Sequence, residues 1–103
     1  MVKVDYNKEL DILMISEDSY DDFNKNIELG GFILDLDSKN EFLGLEIIDA
    51  SQKIPLEKDE LDNINNAQVN FEKNEEVAKI EIILEINSTK NIISSQYPLT
   101  AVA

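Results

Sequence analysis

Apolar and polar side chains alternate with a period of two along most of this chain, the signature of strands that bury one face. The clearest case is residues 31–51, GFILDLDSKNEFLGLEIIDAS. Phe32, Leu34 and Leu36 share one face there, and Ile33, Asp35 and Asp37 share the other. On the return, Leu43, Leu45 and Ile47 lie opposite Phe42, Gly44, Glu46 and Ile48. A slip of one residue would carry a whole apolar set to the wrong side of the sheet, so only an even-numbered connection fits. Either Lys39-Asn40 or residues 38–41 put Leu36 opposite Leu43 and Leu34 opposite Leu45. Asn40 suits a turn position of positive φ.

The same reading extends in both directions. Val2, Val4 and Tyr6 alternate with Lys3 and Asp5 in a strand wet on one side, and Asn7, Lys8 and Glu9 turn it. Residues 11–16, DILMIS, return with Leu13 and Ile15 on one side and Ile12 and Met14 on the other. That predicts a central strand covered on both faces, with Met14 packed inside. Gly30-Gly31 is followed by neither a lysine-serine pair nor a helix, so it reads as a bend or bulge rather than a phosphate loop. Asp49 caps one helical turn over residues 50–54, and Pro55 opens a main helix to about residue 65 with Leu61 and Ile64 inward. Val69 and Phe71 begin a further strand, turned at Lys73-Asn74-Glu75. Residues 77–87 then place Ala78, Ile80, Ile82, Leu84 and Ile86 on one face, with Lys79, Glu81 and Glu85 on the other. Asn87-Ser88-Thr89 has the form of a glycosylation acceptor but reads as turn residues without a secretory leader. Residues 91–97 return as a last strand, and Pro98 puts it at a sheet edge. The apolar tail over residues 99–103 is expected to pair with a second subunit or to fray. The charged-turn hairpins share a rhythm, which any such hairpin would have, and no duplication follows from it. The expected fold is α+β: one domain over residues 1–103, mainly an antiparallel sheet of six to seven strands in a hairpin meander. One main helix, within residues 55–66, packs on that sheet, and residues 67–103 add further hairpin strands.

Composition narrows the chemistry. An apolar share of 43% supports a real core, so 22 acids against nine lysines do not mean disorder. The net charge of −13 argues against phosphate-mediated binding of DNA or RNA and against an anionic membrane. Cysteine, histidine and arginine are absent. Thiolate and zinc-thiolate sites, the usual general base, and two-point guanidinium grips on phosphate go with them. The amino-terminal stretch is polar, and no apolar run approaches the roughly 20 residues of a membrane span, so a cytoplasmic protein is expected.

Two groups of side chains carry candidate chemistry. With Asp35 opposite Gly44 and Glu46 diagonal to it, the second face of the hairpin gathers Asp35, Asp37 and Glu46. Carboxylates in that number suit a hard cation, Ca²⁺ or Mg²⁺. Residues 35–46 even match some EF-hand offsets, but Lys39 takes a ligand position, Asn40 replaces the turn glycine, and strands flank the segment. Two carboxylates about 7 Å apart repel by about 2.4 kcal/mol at an effective dielectric of 20, which a cation, Lys39 or solvation would relieve. The second group is Glu17, Asp18, Tyr20, Asp21 and Asp22, within EDSYDDFNKN. Ser19 with Asp22 fits a capping box, and Phe23 with Ile27 fits helical spacing, so one helical turn is predicted. The segment is either a contact loop for a basic partner or a solvated connection with its two rings tucked onto the sheet. Glycosidase-like acid-base catalysis fits poorly, since there is little room for a cleft and no aromatic near the acids beyond Phe42.

Two stretches resemble a known family. YNKELDILMI, residues 6–15, is similar to the Y-D-x-E-A-D-A-L-Y-I opening of the short proteins grouped as domain of unknown function 2283. Residues 31–51 resemble that family's second motif, G-V-I-x-D-Y-D-x-x-G-x-x-V-G-I-E-I-L-D-A-S, with Asp35, Asp37, Gly44, Glu46, Asp49, Ala50 and Ser51 at matching positions. Asn7, Leu10, Met14 and Asn40 depart from the pattern, and the likeness covers residues 2–54. The resemblance implies a small antiparallel sheet plus helix and no established activity. Some members are thought to be encoded beside small basic toxin-like proteins, which implies an antitoxin-like role. The expectation is therefore a non-enzymatic protein-protein interaction module, homodimeric or paired with a basic protein. The alternative is a cation-binding protein, with no other cofactor expected.

Overall fold

Gly30 and Gly31 hold φ values of 57° and 90°, the pair of positive angles that a two-residue hairpin turn demands. They place Leu29 opposite Phe32 and fold one strand back on the next. The computed structural model describes residues 2–98, so the expected pairing or fraying of residues 99–103 lies outside the described residues. In chain order the elements are β1 (Val2–Asn7), β2 (Ile12–Glu17), β3 (Phe23–Leu29), β4 (Phe32–Asp37) and β5 (Phe42–Ile48). Then come α1 (Ala50–Lys53), α2 (Lys58–Leu61), β6 (Asn66–Lys73), β7 (Val77–Ile86) and β8 (Thr89–Pro98).

The architecture is mainly antiparallel sheet with short helices. Among the described residues it has eight strands in two sheets, ordered β1-β2-β5-β4-β3 and β6-β7-β8, rather than six or seven strands. In the first sheet β3, β4 and β5 are consecutive hairpin partners and β2 lies beside β5. That is a Greek key, where a plain meander was expected. The second sheet is a meander.

The strand missed by the sequence reading is β3. Phe23 and Ile27 are four apart, a spacing that a helix and a strand both satisfy. Topology decides between them. The connection over residues 18–22 must carry the chain from β2 past β5 and β4 to the far edge, about 14 Å at strand spacing. A helical turn advancing only 1.5 Å per residue leaves almost no slack for that span. The predicted capping box is accordingly not made: the Asp22 carboxylate accepts from Ser38 Oγ instead.

In the central hairpin, Leu34 pairs with Leu45 and Asp35 with Gly44, as expected, but Asp37 N–H donates to the Glu41 carbonyl, so three residues, 38–40, connect the strands where an even-numbered connection was expected. Asn40 has φ 62°. A bulge between Asp35 and Leu36 brings Phe42, rather than Leu43, opposite Leu36. One extra residue on β5 thus switches the face of everything nearer the turn. The expectation for β2 also needs correcting. The strand is interior to its sheet, but only Leu13 and Ile15 are buried, and Met14 is 47% exposed.

The main helix expected from Pro55 shrinks to one turn, α2. Leu61 anchors it in the core, and the chain then leaves for the second sheet: Asn65 N–H donates to the Glu85 carbonyl, and Asn65 Oδ1 accepts from Asn87 N–H. Asp49 precedes α1 but has φ 56° and makes no side-chain cap. The inner faces of both sheets meet in one core, Leu13, Ile15, Leu34 and Ile47 from the first and Ile80, Ile82 and Leu84 from the second. Ala50, Ile54 and Leu61 seal it at the link. No helix among the described residues is long and apolar enough to cross a membrane.

Candidate functional site: the outer face of the five-stranded sheet

Cross-strand neighbours on one face of a sheet form rows, and register assigns the rows on the face turned from the core. Asp5 pairs with Met14, Met14 with Glu46, Glu46 with Ile33, and Ile33 with Glu28. One row therefore alternates acid and apolar side chains across all five strands. The row to one side is Asn7, Ile12 and Ile48, of which Ile48 is 40% exposed. The row to the other side is Lys3, Ser16, Gly44, Asp35 and Asn26.

The connection at 18–22 crosses over this last row. Tyr20 OH donates to Asp35 Oδ2 at 2.6 Å, and its ring lies over Gly44. A Cβ there would meet Tyr20 Cε2 at 3.3 Å and Asp35 Oδ2 at 3.5 Å, so the glycine makes the seat for the ring. Desolvation, then the hydrogen bond and charge of Asp35, push the Tyr20 phenol up to about 12. Phe23 stacks on Tyr20, with ring centroids 6.4 Å apart. The bulge between Phe23 and Lys25 turns Phe23 to this side.

The two candidate groups thus meet here only in part. Tyr20 and Asp35 are joined, while Asp22 receives Ser38 Oγ at the hairpin tip. Asp37 Oδ1 accepts the N–H groups of Lys39 and Glu41, so that carboxylate closes its own turn. Glu46 stands one row away, and Glu17 pairs with Val2 on the inner-facing row at the end of β2. Asp18 and Asp21 are exposed on the connection. Among the described residues no group of three or more candidate ligands is gathered closely enough to hold a metal ion.

A second constellation escaped the sequence reading. Asp11, at φ 56° in the β1–β2 turn, is 6% exposed. Its carboxylate accepts from Tyr6 OH at 2.6 Å, Ser51 Oγ at 2.7 Å and Ser51 N–H at 3.0 Å. Its carbonyl accepts from Ala50 N–H. Asp11 therefore caps α1 from 40 residues away, in the place expected of Asp49. Burial alone would raise its carboxyl, but hydrogen bonds from Tyr6 and Ser51, with the Lys58 charge, together hold it below its ordinary value. Nothing in the sequence pattern marked it, since 40 residues separate Asp11 from Ser51.

An open cleft of about 760 Å³ lies away from both constellations, between the hairpin tip at Phe42 and the second sheet at Phe71, Lys79 and Ser95.

No family model matches the chain, and no solved structure matches it. A protein of Methanosarcina mazei named "Putative hypoxanthine phosphoribosyltransferase" is 28% identical over 93 residues, covering 90% of this chain and 75% of its own.

Proposed function

We propose that the protein is a non-enzymatic docking module whose outer sheet face takes a basic amphipathic helix from a partner protein. The observation that carries this is the row Asp5, Met14, Glu46, Ile33, Glu28. Strands lie about 4.8 Å apart, so an acid recurs about every 9.6 Å with an apolar side chain between. A helix laid across the strands presents residues i and i+7 about 10.5 Å apart on one side, with i+3 between them. Lysines at i, i+7 and i+14 would meet the acids, and apolar residues at i+3 and i+10 would meet Met14 and Ile33. Met14, flexible and 47% exposed, suits such a surface. The antitoxin-like role implied by the family likeness would supply a small basic partner of this kind.

The name of the Methanosarcina protein points to a different chemistry, transfer onto a purine from a phosphorylated sugar. This chain contains no arginine to grip phosphate, its adjacent glycines form a hairpin turn, and its helices among the described residues are single turns. Those features favour docking over phosphoribosyl transfer.

A lysine-leucine peptide with this spacing, followed by fluorescence anisotropy, tests the proposal. Binding should fall about tenfold with Glu46→Lys, which reverses the central acid of the row. A scrambled peptide of equal charge that binds as well, or a Glu46→Lys protein that binds unchanged, would refute it.

A further inference from the structure

We infer that the edge of β8 left open among the described residues pairs antiparallel with β8 of a second copy, joining two three-stranded sheets into one of six strands. The surface is distinct from the docking face and the partner is the chain itself, so the two proposals stand or fall separately.

Among the described residues four strands, β1, β3, β6 and β8, end their sheets. β1 carries Asp5, β3 carries Glu28 and a bulge, and β6 carries Glu72. β8, TKNIISSQYP, contains no acid and one lysine over ten residues, in a chain of net charge −13. Self-pairing at any other edge brings acids of the two copies onto adjacent strands. At β8 the acids of the flanking strand, Glu81 and Glu85, would stand about 14 Å from their counterparts. That exceeds the Debye length of about 8 Å at physiological salt, so the approach is largely unopposed.

The backbone is set for it. Ile86 and Thr89 flank a two-residue turn at Asn87 and Ser88, both of positive φ, and residues flanking such a turn exchange hydrogen bonds. Thr89, Asn91, Ile93, Ser95 and Tyr97 therefore bond inward to β7. Lys90, Ile92, Ser94 and Gln96 aim their N–H and C=O groups at the open edge. Ile92 is 63% exposed and pairs with Ile83 on the outer face. Setting Ile92 opposite Ile92 of the second copy continues that pair into an apolar row of four isoleucines across the seam. Lys90 then faces Ser94 of the second copy.

Sedimentation of the full chain over a concentration series is the test. Dimers are expected, with Ile92→Glu and Ser94→Pro both shifting the protein to monomer at equal concentration. Ile92→Glu places two acids across the axis at an exposed position. Ser94→Pro removes an outward N–H without touching a bond to β7, and circular dichroism checks that each variant keeps its strands. Amide exchange at Lys90, Ser94 and Gln96 should be slow in the wild-type dimer and fast in the Ile92→Glu variant. A wild-type protein monomeric throughout, or a dimer that survives both substitutions, overturns the inference.

Discussion

Asp11 is the buried carboxylate on which three donors converge. Asp11→Ala strips the acceptor from Tyr6 OH, Ser51 Oγ and Ser51 N–H at once. It should destabilise the protein by about 2 kcal/mol, roughly 10 °C in the melting temperature. Asp11→Asn keeps an acceptor oxygen and tolerates positive φ, so it should lose less. The pH dependence has a definite sign. The Asp11 carboxyl titrates lower folded than unfolded, so its stabilisation is present above the unfolded carboxylate value of about 4 and is lost as pH falls through the folded one. Denaturant melts of wild type and Asp11→Asn should converge on acidification. Tyr20 acts at the other end of the scale. Its pKa is raised to about 12, so its contribution is whole below about pH 10 and disappears as pH rises through the folded value. Asp35→Asn removes the partner charge and should move the Tyr20 titration down towards 10, read as the absorbance difference against Tyr20→Phe. Neither site was legible as such in the sequence. Period-two patterning tells which face a side chain takes, and says nothing of a turn residue whose backbone angle carries it under a neighbouring helix.

Among the elements, the hairpins were the most legible because alternation and turn residues point the same way. Residues 77–87 show this, with all five predicted inward residues buried. Elements failed where the pattern was degenerate. Phe23 and Ile27 fit a helix and a strand equally, and the pairing that resolves them belongs to Gly30-Gly31 and β4. The second helix failed differently, since Asn65 is taken up by Glu85 at the end of β7 and by Asn87 in the turn that follows. The bulge in β5 cannot be read from alternation either, because Phe42 and Leu43 are both apolar and either can face inward. One turn remains improvable. Asn87 and Ser88 hold φ of 51° and 67°, where asparagine-glycine is the favoured pair. Ser88→Gly should relieve the serine and stabilise the β7–β8 hairpin by up to about 1 kcal/mol, visible as a higher denaturation midpoint with unchanged slope.

At the scale of the whole molecule, the sequence disclosed the mainly antiparallel class and most of the inward residues, Met14 excepted, but neither the Greek key nor the division into two sheets. Alternation assigns faces and leaves neighbours open, and the β2–β5 pairing depends on a short connection crossing the sheet. Charge is the property that remains global. A net −13 on 103 residues repels itself in the folded state, and added salt screens that repulsion at distances beyond the Debye length. The docking proposal relies on the same acids attracting a cationic helix, and salt weakens that attraction. The two effects must therefore respond oppositely to one variable. Raising NaCl from about 0.05 to about 0.5 M shortens the Debye length from about 14 Å to about 4 Å. The melting temperature of the free protein should rise over that range while its affinity for the lysine-leucine peptide falls. Calorimetry and anisotropy on the same samples separate the outcomes. A peptide affinity that holds constant while the melting temperature climbs would mean that the acids of the Asp5–Glu46–Glu28 row are not what the helix meets.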